Sequence, residues 1–214
     1  MQYERHNAWS VLLRLFHWGF ALSIVVLVTT GFYIHHPWTN TMIEGSSNFP
    51  VATMRYFHFI AAFVFTGSIL TRLYLLLFGN KQERIMDFLP ITPANIKNLF
   101  HSLSFYAYIS GKSDHKLGHN SLAGLSYIIT FIVAIAQLLN GFYLLYPESS
   151  TWQGWGLKLF GTQQDARLIH YLIMWYFLCF VVIHVYIAVW NDIKTKEGLI
   201  SSIFNGTKYK PKKV

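Results

Sequence analysis

Cysteine is nearly absent from this chain. Of 214 residues only Cys179 is one, and it stands inside an apolar run. That excludes a disulfide scaffold, a CxxC metal knuckle and a CxxCH site for covalent haem. Charge is scarce as well, at 12%, where a soluble globular domain carries about twice as much. Acid is scarcer than base, with nine Asp and Glu against seventeen Lys and Arg and a formal net charge of +8. What is plentiful is apolar: 53% hydrophobic residues, 18% aromatics and a mean hydropathy of +0.35. This composition excludes a disordered chain and an ordinary cytosolic enzyme, and it leaves a polytopic membrane protein of one domain over residues 1–214.

Four runs are long enough to cross a bilayer, which takes about 20 residues at 1.5 Å rise. They are Val11 to Ile34, Arg55 to Phe78, Leu122 to Leu145 and Arg167 to Trp190, and all six prolines fall outside them. The first run is too long for the apolar core of a signal peptide and no small-residue cleavage site follows, so it is expected to stay. Lys and Arg divide unequally between the two sides, 14 on the side of the termini and the 79–121 connection against Arg55, Lys158 and Arg167 on the other. By the positive-inside rule both termini are expected in the cytoplasm, with the basic tail against anionic headgroups. The excess charge is thus a matter of topology, and no nucleic-acid partner is expected.

Four of the ten histidines, His17, His58, His170 and His184, lie at the ends of these runs or within them. An ionisable side chain there is costly and tends to face the interior of a bundle. His170 and His184 are 14 residues apart, which on one helix returns them to within about 40° of the same face, about 21 Å apart along the axis. Helix direction puts His17 at the level of His184 near the cytoplasmic side, and His58 at the level of His170 near the periplasmic side. Imidazole is a strong axial ligand for haem iron, and bundle cores hold such cofactors. The expected architecture is an all-α, four-helix membrane bundle with two bis-histidine b-type haems stacked across the bilayer.

Arg-x-x-His occurs three times, ending at His17, His58 and His170, and places Arg14, Arg55 and Arg167 one turn nearer the water on the same face. A guanidinium there can donate bidentately to a haem propionate, or can serve as an interfacial anchor. Arg72, 14 residues after His58, joins this set at the depth of the cytoplasmic haem. A fainter echo links Thr30-Gly31-Phe32-Tyr33 with Asn140-Gly141-Phe142-Tyr143; its glycines could admit a porphyrin edge, with plain helix packing the default expectation. Residues 93–108 have an amphipathic spacing suited to the interface, and residues 146–166 form a connection longer than a tight helical hairpin needs.

Taken together, Arg14-Leu-Phe-His17-Trp18, Arg55-Tyr-Phe-His58-Phe, Arg72-Leu-Tyr, Phe78-Gly79-Asn80, Gly118-His119-Asn120 and His184-Val-Tyr186 followed by Asp192-Ile193 resemble the b-type cytochrome subunit of membrane-bound nickel-iron hydrogenases, over nearly the whole chain. The resemblance implies a bacterial inner-membrane protein whose partners are the hydrogenase small and large subunits and the small subunit's membrane anchor helix, with room for a higher-order complex. It implies transfer of electrons from H2 through the His58/His170 haem and the His17/His184 haem to a membrane quinone, menaquinone or ubiquinone. The quinone is expected near His119 and Asn120, with His115 a weaker candidate. Ala123 stands where some members carry a glutamine. On this reading the chain transfers electrons and does not itself activate H2. Two other readings stay open: the di-haem subunit of another periplasmic oxidoreductase, of the formate dehydrogenase or thiosulfate reductase type, and a haem-free transporter or proton channel using intramembrane histidines.

Overall fold

The computed structural model describes residues 3–39, 49–89, 91–107, 109, 118 and 120–211, without the side chains of 87, 88 and 211. In chain order the elements are β1 (Tyr3–Asn7), α1 (Val11–His35), α2 (Pro50–Phe78), α3 (Ile85–Phe88), α4 (Pro93–Tyr106), α5 (Ser121–Leu145), α6 (Ser150–Phe160), α7 (Gln163–Thr195), α8 (Leu199–Asn205) and β2 (Thr207–Pro211). The helices α1, α2, α5 and α7 have 25, 29, 25 and 33 residues, each longer at 1.5 Å per residue than the ~30 Å hydrocarbon core. Large apolar side chains lie exposed along all four, among them Leu22, Val25, Phe63, Leu70, Ile132, Leu172 and Val182. In water such surfaces would aggregate; facing lipid they cost nothing. The chain is a multi-pass integral membrane protein.

Hydroxyls inside these helices are satisfied by the helix itself, as a medium without water requires. Ser68 donates to the Val64 carbonyl at 2.9 Å, and Thr130 to that of Ser126 at 2.9 Å. Helix ends carry the expected signals. Pro50 opens α2, where its missing N–H is no loss, so the helix starts five residues before the apolar run does. Thr92 caps α4 at the Asn95 N–H and Ser149 caps α6 at the Trp152 N–H. Thr162 and Asp165 cap each other at the start of α7, the Thr162 N–H donating to Asp165 Oδ2 at 2.9 Å and the Asp165 N–H to Thr162 Oγ1 at 3.3 Å.

Two compact units divide the chain, and every long helix contributes a segment to each. Met1–Leu15, Thr71–Ala136 and Cys179–Val214 form the first unit; Phe16–Leu70 and Gln137–Leu178 form the second. In the first unit, β1 and β2 pair antiparallel from Tyr3 opposite Pro211 to Asn7 opposite Thr207. The Trp9 indole N–H donates to Ser202 Oγ at 3.0 Å, and buried Lys208 pairs with Glu197 at 3.6 Å. Lys208 is therefore withdrawn from the basic tail expected at the headgroups. In the second unit, α6 occupies the 146–166 connection, and the Tyr143 hydroxyl donates to the Gly161 carbonyl at 3.0 Å.

Candidate haem site

In the second unit, α2 presents His58 and α7 presents His170, with ring centres 6.4 Å apart. Two metal–imidazole bonds of about 2 Å in line, each ring centre about 1 Å behind its nitrogen, separate the centres by about 6 Å. Among the described residues there is no cluster of three or more His, Cys, Asp or Glu able to hold a bare ion. A two-imidazole pair suits a metal whose remaining positions are filled by a macrocycle, as in haem.

Thr30, on α1, decides which nitrogen of His58 is free. Its hydroxyl donates to the Val26 carbonyl at 2.6 Å, leaving its oxygen to accept from Nδ1 of His58 at 2.8 Å. The proton is thereby held on Nδ1 and Nε2 keeps the lone pair a metal needs. The glycines of the echo face the same two rings: a Cβ on Gly31 would lie 3.7 Å from Cε1 of His58, and one on Gly141 would lie 3.5 Å from Cε1 of His170. These are ordinary van der Waals distances, which helix packing also produces. The Gln137 amide donates to the backbone carbonyl of His170 at 3.2 Å, fixing α7 against α5. One helical step deeper, Phe65 and Phe177 stand seven residues beyond His58 and His170. They pack with Phe20 at centroid distances of 4.8 Å (Phe20–Phe65) and 6.0 Å (Phe65–Phe177), a dry apolar floor.

His184 lies in the first unit, its ring stacked on Phe180 at 5.6 Å and met edge-on by Tyr127 at 5.8 Å. Buried Arg72 donates to the Glu83 carbonyl at 3.2 Å. Glu83, 1% exposed, is missing from the sequence reading; its carboxylate accepts from the N–H groups of Ser10 at 2.7 Å and Asn80 at 3.0 Å. His17 belongs to the second unit, its ring edge-on to Trp18 at 5.2 Å.

The other sequence candidates have these surroundings. Arg14 donates to the carbonyls of Phe204 and Ser10, which leaves several of its five donors for other acceptors. Arg55 is exposed with its guanidinium 5.8 Å from the Phe59 ring centre, and Arg167 is exposed one turn from His170. His115 and His119 lie outside the described residues. Asn120 caps α5, its Oδ1 accepting from the Ala123 N–H at 2.7 Å, while its amide donates to the Tyr106 hydroxyl at 3.3 Å. Phe105 and Tyr106 pack on Trp190 at 5.1 and 5.7 Å. Burial pushes the Tyr106 phenol up from its ordinary 10.0, and the Asn120 hydrogen bond opposes it. Beyond Glu83, the sequence reading also missed Thr30 and Gln137 as residues bonded to the two histidines; only the TGFY/NGFY echo carried a signal for the first.

Four membrane-length helices with a facing pair of imidazoles are the features of a membrane cytochrome. The chain belongs to the prokaryotic cytochrome b561 family, whose family model matches residues 8–206. It is 36% identical over 203 residues to the probable Ni/Fe-hydrogenase B-type cytochrome subunit of Cupriavidus necator, covering 91% of this chain and 83% of that protein. The corresponding subunit of Azotobacter vinelandii is also 36% identical, over 91% of this chain and 84% of its own length. The probable Ni/Fe-hydrogenase 1 B-type cytochrome subunit of Escherichia coli K12 is 28% identical over 94% and 89%. Family membership makes this a b-type cytochrome, an electron-transfer protein using haem b, and sets aside the haem-free transporter or channel.

Proposed function

We propose that this chain is the electron-transfer subunit of a Ni/Fe-hydrogenase, passing electrons from an iron–sulfur small subunit on the periplasmic face to a membrane quinone near the cytoplasmic side. The names of its relatives support the partner. Two haem b groups supply one-electron carriers; His58 and His170 hold one and, from helix direction and depth, His17 and His184 hold the other. The facing of His58 and His170 at 6.4 Å is the observation that carries the reading. Thr30 fixes the His58 tautomer, Gly31 and Gly141 leave room beside the rings, and the Phe20, Phe65 and Phe177 cluster keeps water out. Arg55 and Arg167 donate to propionates one turn nearer the water, and Arg14 and Arg72 serve the second haem. Asn120 and His119, with Tyr106 beside Asn120 and Trp190 packed on Tyr106, contact the quinone, and the Tyr106 phenol stays protonated at neutral pH to donate to a quinone oxygen. The small subunit's anchor helix packs on the lipid-facing surface, and the large subunit carries the H2 chemistry.

Haem content tests this. The purified chain shows a dithionite-reduced b-type spectrum with about two haems per chain; His58→Ala and His170→Ala remove one spectral component, and His17→Ala and His184→Ala the other. Mixed pairings overturn the helix directions, and a single haem overturns the two-site reading. Co-purification with hydrogenase subunits supports the partner; recovery with a different periplasmic oxidoreductase overturns it.

A further inference from the structure

The repeat Thr30-Gly31-Phe32-Tyr33 and Asn140-Gly141-Phe142-Tyr143 is structural as well as textual. Each glycine faces one imidazole of the facing pair, Gly31 that of His58 and Gly141 that of His170. Each tyrosine is buried, Tyr33 at 3% and Tyr143 at 1% exposure, and each bonds to the segment that follows its helix, Tyr33 to Thr39 and Tyr143 to Gly161. Helix α1 thus serves the histidine of α2 as α5 serves the histidine of α7. In the first repeat the hydroxyl oxygen of the leading residue, Thr30, lies 2.8 Å from Nδ1 of His58 and, with its hydrogen given to the Val26 carbonyl, is placed to accept from it. In the second the leading residue is Asn140, 0% exposed, and neither its Oδ1 nor its Nδ2 has a hydrogen-bond partner among the described residues; nor has Nδ1 of His170, also buried. An amide oxygen and an imidazole N–H are the two halves of one bond, and leaving both buried and unmade is costly. Gln137, one turn earlier on α5, donates through Nε2 to the His170 backbone carbonyl, and its own Oε1 is buried without a partner as well; Asn140 is preferred because it holds the place of Thr30 in the repeat and adjoins Gly141, which faces the His170 ring.

We infer that Asn140 and Thr30 are paired positioning residues, each accepting from the Nδ1–H of one axial imidazole and together setting the reduction potential of the haem that His58 and His170 hold. The inference rests on that ligand assignment. An acceptor at Nδ1 makes the imidazole a stronger donor, so it favours ferric iron; removing it favours the ferrous form.

The test is redox titration and low-temperature electron paramagnetic resonance of the haem-loaded full chain bearing Thr30→Val, Asn140→Leu, Thr30→Ser or Asn140→Thr. Thr30→Val and Asn140→Leu each keep two haems and shift one component, the one lost in His58→Ala, toward the ferrous form by about tenfold, which is about 59 mV upward for one electron. Thr30→Ser and Asn140→Thr, which keep an acceptor oxygen, stay within a third of that shift. An unmoved potential and unchanged low-spin signal in Asn140→Leu overturn the role of Asn140, whatever Thr30→Val does. A shift in the component retained by His58→Ala also overturns it. Should Asn140→Leu fail to assemble, Asn140→Thr decides: a shift as large as that of Thr30→Val overturns the pairing. Failure of the ligand assignment reads differently, as His58→Ala or His170→Ala retaining both haems.

Discussion

At the residue scale, the site histidines stand out because an imidazole in an apolar run costs free energy that only a role repays. The Arg-x-x-His spacing made Arg14, Arg55 and Arg167 candidates beside them. Thr30 and Asn140 were not, since a hydroxyl or amide in a span ordinarily bonds to its own helix, as Thr30 does to Val26; only the structure adds His58 to that list. Spacing makes Arg14 a candidate, but its Phe204 partner is 190 residues away and beyond any local pattern. The same holds for Lys208 and Glu197, 4% and 7% exposed. Burial pushes the Lys208 ammonium below its ordinary 10.5, with Glu197 pulling the other way. The unfolded chain therefore binds more protons in the window just below 10.5, and folding gains stability as pH rises through it. Lys208→Ala strands a buried carboxylate and is expected to cost about 3 kcal/mol, seen as a lower melting temperature in detergent. Lys208→Met with Glu197→Leu recovers most of that loss, and its melting temperature falls behind the wild type as pH is raised toward 10.5.

At the scale of elements, the four spans were readable to within a few residues at their starts and ends, because bilayer thickness leaves a long, uninterrupted apolar signal. The ends moved outward: α2 begins at Pro50 and α7 runs to Thr195, since capping and hydrogen bonding extend helices past the hydrocarbon edge. Helix α6 was not readable. Its eleven residues include Gly154 and Gly156, which on propensity alone argue for a loop. Gly156 is there for contact. A Cβ at that position would overlap the Tyr143 ring, so Gly156→Ala is expected to displace Tyr143 and its bond to Gly161. The cost is about 1–3 kcal/mol, checked by thermal unfolding with haem absorbance as the probe. A histidine, a phenylalanine and a histidine at seven-residue steps on α7, His170, Phe177 and His184, were present in the sequence as a heptad; that Phe65 on α2 and Phe20 on α1 meet the middle one needed the fold.

At the scale of the whole molecule, charge counting along the chain argues for both termini on one side, and the β1–β2 pairing brings those termini together. Reporter domains fused to either end are expected to behave as cytoplasmic, a fluorescent protein bright and an alkaline phosphatase inactive; the reverse pattern at either end refutes the charge argument. The pairing itself lay outside sequence reasoning, because two five-residue strands separated by some two hundred residues share no local signal.

That pairing also sets an order of events. The ribosome makes Tyr3–Asn7 some two hundred residues before Thr207–Pro211, so the earlier strand stays without its mate until the later one has been made. A nascent chain stalled before residue 207 keeps the amide edge of residues 3–7 open, so closure of this two-stranded sheet follows insertion of all four spans.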